Sequence, residues 1–200
     1  MELPSDPAIP LWLKLAYTLF VAFLVPVYYK HWGPGNFLWF SDIALLATVL
    51  ALWLESSLIA SMMSLAVLLP ELVWNADFFA HLLTGRTLGG LSGYMFDAGR
   101  PLYLRALSLF HVFLPPLLIW LLYRLGYDGK ALLAQTLLAW IVLPVTYFVT
   151  DRKENVNWVY GPSSKPQERI SPRLYLLLVM LLFPLLLYLP THLILRKLFV

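Results

Sequence analysis

Four side chains in this sequence have the chemistry of a site: Ser41, Asp42, Glu71 and His111. They are a hydroxyl, two carboxyls and an imidazole, set inside apolar runs or at their mouths. An ionisable group in hydrocarbon is costly, so it faces the interior of a bundle or a wet cavity and finds a partner there. Carboxyl and imidazole together serve general acid–base chemistry or ligate a metal. Asn75 lies one turn beyond Glu71 and shares its helical face. The run Asn157-Trp158-Val159-Tyr160 precedes Gly161-Pro162, where aromatic side chains suit a lid over a cavity. With Trp39, the residues Asn75, Asn157, Trp158 and Tyr160 are the candidates for contacting a substrate. Each residue also has a plainer use. Asp42 can cap its helix, Ser41 can pack between helices, and His111 or Glu71 can bond a neighbouring helix. Asp77 and His81 fall near the membrane boundary, where solvation suffices for them.

The elements that must position these groups follow from composition. The chain has 200 residues, 60% hydrophobic and only 12% charged, with a mean hydropathy of +0.76. Several apolar runs reach the roughly 20 residues a membrane helix needs. The expectation is an all-α, multi-pass integral membrane protein: a single domain of six transmembrane helices at about 11–28, 37–54, 58–83, 102–125, 131–150 and 173–195. The segment before the first helix, with Glu2 and Asp6 among prolines, lacks the basic start of a signal peptide and reads as a short cap. The break His31-Trp32-Gly33-Pro34-Gly35 makes the first turn, and the glycine-rich stretch 84–101 is a loop. No dense basic tract suggests nucleic acid, and the absence of cysteine excludes thiolate chemistry and disulfides. Six spans put both termini on one face. Asp42, Glu71, Asn75, Asp77 and His111 then all fall in the opposite leaflet, which one shared polar pocket explains more simply than separate accidents.

Three segments in this order resemble the androgen-induced and androgen-dependent membrane hydrolases. Asn36-Phe37-Leu38-Trp39-Phe40-Ser41-Asp42 is similar to the start of that family's second helix, His111-Val112-Phe113-Leu114-Pro115 to its histidine followed by a proline-containing apolar stretch, and Trp158-Val159-Tyr160 to its Trp-Val-Tyr-Pro loop. The resemblance implies a six-helix enzyme that hydrolyses fatty-acid esters of hydroxy fatty acids with a threonine and a histidine. His111 matches that histidine, whereas the threonine position is occupied by Trp39. Ser41 lies two residues on, about 200° around a helix. A more distant branch, the integral membrane acyltransferase-like proteins, places its nucleophile directly before the matching aspartate, which would be Ser41 here.

Two expectations of different kind follow. In the first, Ser41 attacks an ester carbonyl, His111 is the general base, Asp42 or Glu71 orients the imidazole, and Asn75, Asn157 or loop N–H groups hold the oxyanion. The ligand is then a membrane lipid or fatty-acyl substrate, with no cofactor and no nucleic acid. In the second, Trp39 marks a non-enzymatic lipid-binding, scaffold or transport protein on the same bundle. A metal variant would use Asp42, Glu71, Asp77, His81 and His111 as ligands, though no tight His-x-x-x-His spacing supports it.

Overall fold

The computed structural model describes residues 8–163 and 165–199, so Glu2 and Asp6 lie outside the described residues. The architecture is an all-helical bundle, with no strand among the described residues. Helix α1 spans Leu11–Trp32, α2 Phe40–Leu54, α3 Ser57–Thr84, α4 Leu102–Leu107, α5 Phe110–Leu125, α6 Ala131–Val149, α7 Pro172–Leu182 and α8 Leu189–Phe199. Here α4 and α5 make one span, and α7 and α8 another, so an apolar helical segment stands at each of the six expected positions. Five of them are long and apolar enough to cross a membrane. The exception is α2, whose fifteen residues extend about 22 Å.

The shortness of α2 has a local cause. Pro34–Leu38 winds as a 3-10 turn, and Trp39 is extended at φ −58° and ψ 135°, so the helix begins at Phe40 and not at residue 37. The side chain of Asn157 fixes this junction. Its Oδ1 accepts from the Phe40 N–H at 3.0 Å and its Nδ2 donates to the Leu38 carbonyl at 2.7 Å. A free N–H of the first helical turn is thereby satisfied by a residue far along the chain, not by Asp42.

The other departures have local causes of their own. The fourth span is broken at Ser108 and Leu109, where Ser108 Oγ bonds back to the Leu104 carbonyl. In the sixth, Pro184 lacks an N–H, and the residues Phe183–Tyr188 take a π-helical turn. Meanwhile α1 runs four residues past its expected end at Tyr28, with Lys30 and His31 complementing the carbonyl end of the helix.

The centre of the bundle is α3, which packs on α2, α5, α6 and α8. Ala60, Ser61, Ser64 and Ala66 are all buried along it, and such small side chains let helix backbones approach closely. At the membrane face that carries the α2–α3 turn, Glu55 closes the structure. Its carboxylate accepts from Lys14 Nζ at 2.7 Å and from the N–H groups of Ala8 and Ile9. The Lys14 hydrogen bond and the two backbone N–H groups hold the Glu55 carboxyl below its ordinary value. A lowered native pKa contributes stability above the unfolded value of about 4.3, lost as pH falls through the native value. Amide exchange at Ala8 and Ile9 is accordingly expected to accelerate as pH drops below about 4.3, beyond the intrinsic trend, and Glu55→Gln is expected to remove that dependence.

Candidate functional site

Glu71 follows Pro70 on α3, and His111 lies in the first turn of α5. Their side chains meet with His111 Nδ1 2.8 and 2.9 Å from the two Glu71 carboxyl oxygens. Both are largely withdrawn from solvent, at 14% and 4% side-chain exposure. The imidazole is also held by flanking rings. Trp74 stacks on it at 4.6 Å between centroids and Phe110 at 4.0 Å. A carboxylate at Nδ1 makes that nitrogen the donor, which leaves Nε2 as the acceptor and potential base. Among the described residues, Nε2 has no hydrogen-bond partner.

Asn75 supports this pair from behind. Pro115 cannot donate to the carbonyl four residues earlier, that of His111, and Asn75 Nδ2 takes that carbonyl at 2.7 Å while also bonding the Glu71 carbonyl at 2.8 Å. Both amide hydrogens are thus spent on the backbone and none remains for an oxyanion. Asn75 is absent from the lining of the cavity beside it.

That cavity measures about 980 Å³ and is lined by Ser41, Asp42, Glu71 and His111 together with Trp39 and Asn157, among others. The carboxyls, the imidazole and the hydroxyl share one hollow, as expected of a common polar pocket. Asp42 is 4% exposed and accepts from Asn36 Nδ2 at 3.2 Å. Ser41 is half-buried on the same wall, and among the described residues no hydrogen bond joins it to His111. Because Trp39 precedes the helix, the 200° rotation expected between it and Ser41 does not apply, and both line the cavity.

The loop over the cavity is bent into unusual backbone. Asn155, Asn157 and Trp158 adopt positive φ of 46°, 51° and 56°, a conformation costing about 1–3 kcal/mol per residue that surrounding structure must over-determine. Asn155 does so by bonding Gly161, Ser163 and Tyr160 backbone groups, and Asn157 through the α2 junction. Trp158 lines the cavity and meets Trp39 edge to face at 5.7 Å. Tyr160 turns elsewhere, stacking on Tyr147 and donating its hydroxyl to the Tyr147 carbonyl.

Several lining residues carry no signal that sequence reasoning used. Tyr28 bonds Ser108 through their hydroxyls at 2.6 Å, and both face the cavity with Tyr94. The Asn-x-Asn pattern at 155–157 is the one readable sign, since asparagine tolerates positive φ better than most residues.

Asp77 corrects the expectation of a solvated boundary residue. It is 1% exposed and accepts from the N–H groups of Leu88, Gly89, Gly90 and Ser92 and from the Ser92 hydroxyl, at 2.6 to 3.1 Å. The glycine-rich loop is wrapped around this carboxylate, which leaves it committed and unavailable as a metal ligand. His81 stacks on Phe96 at 3.8 Å. Among the described residues, no three His, Asp or Glu side chains gather into a metal-binding group. No protein-family model, curated protein or solved structure matches the chain.

Proposed function

We propose that this protein is a membrane-embedded hydrolase or acyltransferase of lipid esters, with His111 as general base and Glu71 as the group that orients it. The observation carrying this reading is the Glu71–His111 pair. One imidazole nitrogen is tied to a carboxyl and the other is without a partner among the described residues, on a side chain lining a cavity of about 980 Å³. Nε2 takes the proton of a hydroxyl, the oxygen forms a bond to the ester carbonyl carbon, and the imidazolium returns the proton to the departing alkoxide. With Ser41 as the hydroxyl, an acyl-serine forms and water or a second alcohol resolves it. With water, the acid is released directly.

A non-enzymatic lipid-binding role is the second reading. It draws on the missing Ser41–His111 hydrogen bond and on Trp39 at the threonine position. A fluorophosphonate probe, applied to lipid-reconstituted protein alongside a fluorescent acyl-ester assay, separates these cases. Labelling that disappears in Ser41→Ala is expected for the serine route. Hydrolysis without labelling assigns the nucleophile to water, and neither labelling nor hydrolysis leaves only the lipid-binding role.

A further inference from the structure

The rim of the cavity holds a cation that the acyl-transfer reading does not use. Arg100 lines the cavity, with its guanidinium over the Trp32 ring at 4.5 Å and 5.8 Å from the Tyr94 ring. The acidic Asp97 lies 3.4 Å from Nε, in a geometry that leaves Nε without a hydrogen bond among the described residues. Among the described residues, neither Nη atom has a hydrogen-bond partner. The guanidinium is therefore held in place by rings and presents an unused donor edge.

The charge layout gives that edge a direction. Of the lining residues, Arg100 and Lys153 alone carry a fixed positive charge, and both sit on loops at the membrane face. The buried acidic side chains Asp42 and Glu71 lie inside, and Glu154 shares the rim. An anionic group finds fixed positive charge at the rim and none deeper in, where the acidic side chains Asp42 and Glu71 line the wall. A lipid entering this cavity is thus oriented, with its charged head at Arg100 and its neutral ester and chain inward.

We infer that the cavity binds amphiphiles with an anionic head group, carboxylate or phosphate, through the Arg100 guanidinium with Lys153 in support. The identification of such a molecule as the ester substrate rests on the proposed function, but its binding is measured without turnover, so the two fail separately.

The test is equilibrium binding of radiolabelled dodecyl phosphate, dodecanoate and dodecanol to the full chain in a neutral maltoside detergent. Arg124 supplies the control. It lies 5.9 Å from the Trp120 ring and bonds the Ala8 carbonyl at the opposite face. Wild type is expected to bind at least one anion about tenfold or more tighter than dodecanol, as a charge-assisted fork of hydrogen bonds implies. Arg100→Gln is expected to abolish that preference and Arg124→Gln to retain it. Preference for dodecyl phosphate alone assigns a phosphate head, for dodecanoate alone a carboxylate, and for both a general anion site. Equal binding of all three amphiphiles by wild type, a comparison that needs no variant to fold, overturns the inference. So does an equal loss in the Arg100 and Arg124 variants.

Discussion

His111→Ala is expected to lower ester hydrolysis by the lipid-reconstituted protein about 10³-fold or more, the scale of losing a positioned general base, while the bundle stays folded. The fold should survive because alanine keeps the cross-helix bond from Asn75 to the carbonyl of residue 111, and the Glu71 carboxyl that loses its imidazole partner lines the cavity, where water can reach it. What is lost from packing is the stack on Trp74 and Phe110, worth about 0.5–1.5 kcal/mol per aromatic pair. Glu71→Gln removes both the charge and the control of the tautomer. The glutamine amide can turn its NH2 toward Nδ1 and leave the proton on Nε2, and no negative charge offsets the imidazolium formed as the base takes its proton. A loss of about 10² or more is expected from the two together. Initial rates on a short-chain acyl ester, with circular dichroism to verify helicity, check both. Unchanged rates in His111→Ala would remove the base from the mechanism.

Asp77→Ala is expected to have the largest structural effect of any single change near the site. Five donors converge on this carboxylate, yet they are not equivalent. Leu88, Gly89 and Gly90 are exposed, so water can replace the carboxylate at their N–H groups, whereas Ser92 is fully buried. Its N–H and hydroxyl would be left unpaired at about 1–3 kcal/mol each. A destabilisation of about 2–6 kcal/mol follows on that basis, concentrated in the loop. Gly89, Gly90, Leu91 and Tyr94 from this loop line the cavity, so the lesion should also reach the site, raising KM more than it lowers kcat. Hydrogen exchange at residues 88–92 and tryptic cleavage after Arg86 should both accelerate. Asp77→Asn, which retains one acceptor oxygen, is expected to fall between the two. Exchange at 88–92 unchanged in Asp77→Ala would show that the carboxylate does not hold the loop.

The departures from expectation around this site share one origin. Asp77 follows a long apolar stretch and precedes polar, glycine-rich sequence, so depth along the helix argues for solvent; burial comes instead from a loop that folds back over it. Asn75 shares a helical face with Glu71 and so belongs to the neighbourhood of the site. Whether its amide points at a ligand or at a carbonyl depended on Pro115, forty residues away on another helix. Trp39 and Ser41 were placed on opposite faces by assuming a helix that had not yet begun. For Asp77 and Asn75 the sequence places the residue on its helix, for Trp39 it does not, and in each instance a partner from elsewhere in the chain sets the local structure or what the side chain does.

By itself, the sequence determined that this chain is a bundle of apolar helices of membrane-spanning character, where most of its turns fall, and that Asp42, Glu71 and His111 belong to one end of the bundle. Hydropathy, proline and glycine act locally, and depth follows from counting passes. Only the tertiary structure decided that Glu71 and His111 meet, that Asn157 caps α2, that Asp77 is enclosed by its loop and that Arg100 stands over Trp32 at the rim. Those facts depend on how each helix is rotated and which loops fold back over it. Rotation is settled by packing between distant segments, which hydropathy along a single run does not encode.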